Sequence, residues 1–215
     1  MAHNILICGD SFAADWTVKR AGIGWPNLLA KDFSVTNLAQ AGCSEYKIFK
    51  QITSVDITAF SHVIISHTSP LRLVVREHPV HKTDSLHHSS DLIYADIKEH
   101  SKKFKNLLPI VDYFENYFDM ESAVFMHTLL CEKICSITNV IYPKIIHVVN
   151  SEWSNLYQFK DMLNFAEVHR DNPGYFNHYS AIGNHIIYDI IKQHLKAINS
   201  VRGIRNIRTR FNRLL

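Results

Sequence analysis

The chain has 215 residues, 47% of them hydrophobic and 20% charged, with a formal net charge of +3. That apolar content excludes a disordered chain, and so small a net charge speaks against a protein that grips nucleic acid over its whole surface. The length suits one α/β domain carrying an additional segment.

Met1-Ala2-His3-Asn4 leads straight into an apolar run, without a charged leader and small-residue cleavage site. No run is long and apolar enough to span a bilayer. Asn4–Cys8 reads as the first strand, and Gly9-Asp10-Ser11-Phe12 follows it directly. Trp25–Lys31 reads as a helix, Phe33–Asn37 as strand two, and Ser44–Ser54 as a second helix. His62–Ser66 and Lys144–Asn150 read as strands three and four, with long helices over Met120–Thr138 and Ala181–Ile198. The strand runs are nearly continuously apolar, as parallel strands covered on both faces require. Their alternation with helices predicts a parallel sheet with right-handed crossovers.

Two stretches break the rhythm. The polar segment from Pro70 to Asn106 is longer than a usual connection, and predicts an insertion after strand three that is either a lid or a decoration. It holds His78, His81, His87, His88 and His100, with Asp84 and Asp91 nearby. No clear set of acidic or cysteine partners completes a metal site, so these histidines read as a polar surface loop and no cofactor is expected. The tail from Asn199 to Leu215 carries Arg202, Arg205, Arg208, Arg210 and Arg213 between apolar residues at roughly helical spacing. It reads as a basic amphipathic helix packed on the body, or one that docks a partner or a second copy of the chain. The chain divides accordingly into an α/β domain over 1–198 and a helical tail over 199–215. Cys8, Cys43, Cys131 and Cys135 fit reduced, buried thiols rather than a disulfide framework, so a cytoplasmic protein is expected.

Ser11 is the candidate nucleophile, because the crevice of an open α/β sheet lies beyond the carboxyl ends of its strands. A serine hydroxyl needs a base, and His178, just before a helix that Ser180 can cap, is the candidate. Asp10 either holds the turn through nearby backbone amides or helps to bind substrate. Arg72 and Arg76 follow strand three. Either they contact an anionic substrate group or they pair with Glu77 or Asp84. Trp16, Trp25 and Trp153 either stack on a sugar or, as is the default for tryptophan, lie in the core.

Gly9-Asp10-Ser11-Phe12 resembles the first block of the SGNH (GDSL-type) hydrolase superfamily. Asn37-Leu38-Ala39-Gln40-Ala41-Gly42-Cys43-Ser44 resembles the second block, and His178-Tyr179-Ser180-Ala181-Ile182-Gly183 the last. The matches occur in the family's order and span nearly the whole chain. The resemblance implies a three-layer, flavodoxin-like α/β/α sandwich and ester hydrolysis through an acyl-serine. It makes Ser11 the nucleophile, His178 the base, and the Gly42 amide an oxyanion donor. It implies a small-molecule or carbohydrate ester as substrate, an O-acetyl group first. The chain departs from the family twice. Ser66-His67-Thr68-Ser69-Pro70 stands where Gly-x-Asn-Asp is usual, leaving Thr68 or Ser69 as hydroxyl donors. Tyr175 stands where an aspartate usually precedes the histidine, leaving Asp171, if the Asn172-Pro173-Gly174 turn folds back, to orient His178. The alternatives are a scaffold that has lost catalysis and serves binding or assembly, and an O-acyltransferase.

Overall fold

The computed structural model describes residues 4–19, 22–139, 144–150, 159, 162–174 and 178–211, with the backbone alone at several element ends, among them 198–211. Five strands form one parallel sheet: β1 (Asn4–Gly9), β2 (Ser34–Asn37), β3 (His62–Ser66), β4 (Lys144–Val149) and β5 (Met162–Asn164). Their order is β2-β1-β3-β4-β5. This is the doubly wound, flavodoxin-like order, in which the winding reverses between β1 and β3 and opens a crevice at the strands' carboxyl ends. The helices are α1 (Trp25–Leu29), α2 (Glu45–Thr53), α3 (Tyr94–Ser101), α4 (Leu108–Asn116), α5 (Met120–Asn139), α6 (Ala166–Asp171) and α7 (Ala181–Phe211).

Side-chain alternation along β1 divides the core. Ile5 and Ile7 face α1 and α7, packing with Trp25, Leu29, Ile187 and Ile191. Leu6 and Cys8 face α2 and α5, packing with Ile48, Ile52 and Ile134. Burial on both faces explains why the strand reads as an unbroken apolar run. Cys8 and Cys43 are buried free thiols, and burial pushes both up to about 12, so neither is a nucleophile at neutral pH.

Several elements differ from the sequence reading. β5 is a short edge strand too brief for a period to show. The polar insertion is folded rather than loop-like. It contains α3, pairs Leu73 with Leu92 in an antiparallel bridge, and packs Leu92 and Ile97 against Leu107 and Val111, which follow it, in a separate core. The last helix continues without a break to Phe211, through most of the basic tail. The tail's arginine side chains, Trp153 and Tyr175 lie outside the described residues. Among the described residues no helix is long and apolar enough to cross a membrane.

Candidate active site

The turn after β1 is built for close approach. A Cβ on Gly9 would stand 2.6 Å from Ser66 Cβ, so only glycine lets β1 and the end of β3 meet there. The Gln51 side chain brackets the same residue, accepting from its N–H at 2.8 Å and donating to its carbonyl at 3.1 Å. Three further side chains fix the loop. Trp16 Nε1 donates to the Ser11 carbonyl at 2.8 Å, Trp25 Nε1 to that of Phe12 at 2.8 Å, and Asn37 Nδ2 to that of Ala13 at 2.9 Å. Ser11 is therefore presented by a loop held at three successive carbonyls.

Ser11, Gly42, Arg72 and His178 line one cavity of about 910 Å³ at the carboxyl edge of the sheet. Phe12, Trp16, Ile23, Ile93 and Tyr179 supply much of its apolar wall. The His178 ring packs against Trp16 at 4.7 Å and Phe12 at 5.3 Å between centroids. Trp16 thus touches both the loop that carries Ser11 and the imidazole. His178 is delivered by the start of α7, where Ser180 Oγ accepts from the Gly183 N–H at 3.2 Å, a capping bond at the expected position.

Asp171 does not reach the histidine. The Asn172-Pro173-Gly174 turn does fold back, with Gly174 N–H donating to the His178 carbonyl at 2.6 Å and Ser180 N–H to Asn172. The Asp171 carboxylate nevertheless points outward, 62% exposed, and pairs with Arg170 Nε at 3.0 Å. A side chain at the end of α6 follows that helix's outer face, whatever the next three residues do.

Thr68 and Ser69 are likewise not at the cavity wall. The Thr68 hydroxyl accepts from Arg72 Nε at 2.8 Å and bonds Asp10, while Ser69 Oγ accepts from the Leu71 N–H in a local turn. Arg72 occupies the place instead. Its Nη1 donates to the Gly42 carbonyl at 3.0 Å, and its Nη2 lies 3.7 Å from Asp10, rather than pairing with Glu77 or Asp84. Asp10 lies beneath the site, buried, and its Oδ1 accepts from the Phe12 N–H at 3.1 Å. Burial pushes its carboxyl up to about 6, against the pull of Arg72 and its hydrogen bonds. Asp10 thus holds the turn and anchors Arg72. Asn37 is committed as well, since its Oδ1 accepts from the Ala39 N–H.

Gly42 has φ +76, and a Cβ there would lie 2.5 Å from Ser90 Oγ and 2.7 Å from Ser90 Cβ. The insertion therefore packs directly on the candidate oxyanion loop. Asp91 pins the two together: its carboxylate accepts from the N–H groups of Ser44 and Val75, each at 2.9 Å, and pairs with Lys47 at 2.8 Å. His78, His81, His87 and His100 also line the cavity, and His78 is buried, whereas His88 stands on the outside. The polar surface loop of the sequence reading is thus a wall of the site.

Two buried networks were not anticipated. Tyr179 donates to Asn150 Oδ1 at 2.6 Å, and Asn150 Nδ2 to Ser66 Oγ at 2.9 Å, joining the ends of β3 and β4 to the residue after His178. A lone asparagine closing an apolar strand was the available signal. Behind the sheet edge, His67 bridges Glu45 at 2.7 Å and His147 at 2.9 Å. Burial, and then the neighbouring His67, push His147 down to about 3. A base whose folded pKa is depressed stays neutral when folded but takes a proton when unfolded. Its contribution is present above the unfolded value and declines as pH falls below it. From pH 7 to 5, wild type should lose about 2 kcal/mol more stability than His147→Asn in urea unfolding. Equal losses would contradict the assignment.

Comparison with protein-family models and with curated proteins finds no match. Among solved structures, one similar chain is a candidate lipolytic protein of the G-D-S-L family from Desulfitobacterium hafniense DCB-2. It is 11% identical, the alignment covers 88% of this chain and 98% of that one, and the TM-score is 0.36. A likeness of that size says nothing of chemistry.

Proposed function

We propose that the chain is a serine hydrolase of SGNH type that cleaves a small ester. The observation that carries this reading is the shared cavity of Ser11, Gly42 and His178, with Trp16 in contact with both the Ser11 loop and the imidazole. Ser11 Oγ attacks the ester carbonyl while His178 takes its proton, then returns it to the leaving alcohol. Water, activated by the same imidazole, releases the acid from the acyl-serine. The Ser11 and Gly42 amides face the developing oxyanion, and the Arg72 guanidinium adds positive charge where the family has an asparagine amide. The apolar wall suits the acyl group, and the polar remainder suits an alcohol partner such as a sugar. Resemblance makes an O-acetylated carbohydrate the first substrate to try.

The test is covalent capture with a fluorophosphonate probe. Labelling should map to Ser11 and vanish in Ser11→Ala. No Ser11-dependent labelling between pH 6 and 9 would favour the second reading, a hydrolase-like scaffold used for binding. That reading draws on Asp171 and Thr68, both engaged elsewhere.

The dyad form makes a further prediction. Loss of an orienting acid costs roughly 10⁴ in rate where one is present. Asp171→Asn should instead change turnover by less than about tenfold, since its carboxylate serves Arg170. A loss near the full triad value would return Asp171 to the site.

A further inference from the structure

The outer side of α4 and α5 is apolar and acidic, and neither the sheet nor the cavity uses it. α5 turns His127, Cys131 and Ile134 toward the body, where all three are buried. On the other side of the same turns, Phe125 is 62% exposed, Met126 54% and Leu129 42%. From Ala123 to Leu130 the helix carries no Lys, Arg, Asp or Glu. A helix that is apolar all round belongs in an interior, and a large exposed apolar patch marks an interaction surface. Just before it, Tyr113, Tyr117 and Met120 are exposed as well. Half of roughly 200 Å² for each of these six side chains comes to about 600 Å², the low end of what one partner gives to a specific interface.

The charge around this face has one sign. From Asn106 through Glu132 the chain holds Asp112, Glu115, Asp119, Glu121 and Glu132, and no Lys or Arg. Among the described residues, only Glu115 of these acids has a lysine or arginine partner, Lys98 at 3.0 Å. Asp112 accepts from the Asn116 amide, and Asp119 accepts from the N–H groups of Glu121 and Ser122, so their charge stays unbalanced.

The end of α7 has the opposite make-up. No acidic residue follows Asp189, and Arg202, Arg205, Arg208, Arg210 and Arg213 alternate with apolar residues. The helix continues to Phe211, so Ile204, Ile207 and Phe211, three and four positions apart, share one stripe. Among the described residues Leu195 is the last of α7 in the core, and at about 1.5 Å per residue the helix runs about 24 Å further. Topology decides which copy this end can meet. α7 lies with α1 on one side of the sheet, and α5 lies with α2 on the other. A helix unbroken to Phe211 does not turn round the sheet to the outer side of its own α5.

We propose that the α4–α5 face of one copy receives the arginine-rich end of α7 from a second copy of the chain. The apolar stripe of the tail covers Phe125, Met126 and Leu129, and its arginines meet the acidic surround. Exchange in both directions closes a two-fold dimer in which the contact is made twice. The interface needs neither Ser11 nor His178, so it stands apart from the hydrolase reading.

Sedimentation velocity of the full chain tests it. Wild type should be dimeric within about 1–100 µM. Association should weaken as salt rises from about 0.1 to 1 M, which cuts the Debye length from about 10 to 3 Å. Phe125→Glu, and Arg205→Glu with Arg208→Glu, should each weaken it at least about 30-fold and keep the wild-type circular dichroism spectrum. The tail variant alters residues beyond Leu195, so it remains informative should Phe125→Glu fail to fold. An equimolar mixture of the two variants should form a heterodimer through one contact, because the intact tail of one meets the intact face of the other. Three results would overturn the interface: a wild type that is monomeric throughout that range, association unaltered in either folded variant, or a mixture no more associated than its components. The last would mean that α5 meets α5, or tail meets tail.

Discussion

Ser11→Ala is expected to lower turnover of a small aryl acetate by at least about 10³-fold, the scale on which loss of a nucleophile acts in serine hydrolases. The reason is geometric before it is chemical. The serine sits on a turn whose successive carbonyls are held by Trp16, Trp25 and Asn37, so the alanine variant should keep its fold and lose only the hydroxyl. His178→Ala should fall to a similar level. The double variant should fall no further than either single one, because nucleophile and base act as a unit and their losses do not add. What remains in all three is binding and oxyanion stabilisation. Measured kcat/KM for the four proteins decides the matter. A Ser11→Ala protein with wild-type turnover, or losses that multiply in the double variant, would remove the acyl-serine mechanism.

Gly42→Ala is expected to have the second largest effect, and on two observables. Positive φ at a non-glycine residue costs of order 1–3 kcal/mol when the surroundings enforce it. The new Cβ would also enter Ser90, less than 3 Å away, and push the insertion off the loop. Thermal unfolding should register the sum as a lower midpoint. Turnover should fall by roughly 10²–10³-fold, the cost of one misplaced oxyanion donor. The companion variant Gly42→Ala with Ser90→Gly separates the two causes. Removing the Ser90 side chain clears the steric conflict while the backbone strain stays, so stability should recover in part. Full recovery would mean that φ +76 carries no cost here, and no recovery would mean that the contact with Ser90 is unimportant.

The sheet was largely legible because its logic is local. Ile5 to Cys8 and His62 to Ser66 are apolar at every step or nearly so, and only a strand buried on both faces needs that. β5 escaped notice because Met162-Leu163-Asn164 is too short to carry a pattern. In the insertion, α3 offers Ile97 as its one fully buried apolar residue, so its amphipathic signal is faint. Around the cavity, Ser11, Gly42 and His178 stand out as candidates because each follows a strand or opens a helix with a recognisable block. The rest depends on side-chain direction and on chain returns that no spacing encodes. Asp171 is close to His178 along the chain, yet its carboxylate faces solvent. Asp91 reaches back 47 positions to hold Ser44, and Arg72 crosses 30 to Gly42. Asp96 approaches His78 and His81 only because α3 packs where it does.

The insertion rests on an apolar cluster in which its Leu92 and Ile97 pack with Leu107 and Val111 just beyond it, apart from the two clusters that sandwich the sheet. The cavity is consequently assembled from two modules with separate foundations. One carries the candidate reacting groups on strand ends and the start of α7, and the other carries the histidine wall. The two modules meet where Leu86 packs with Ala14, Ala41 and Trp16 and where Ser90 and Asp91 hold the Gly42 loop, so only residues away from that seam can diverge without disturbing the packing around Ser11 and His178. Ligand preference can thus shift through the histidine wall while the strand-end packing stays, and exchanging the insertion between related chains with Leu86, Ser90 and Asp91 kept is the natural way to change one and retain the other.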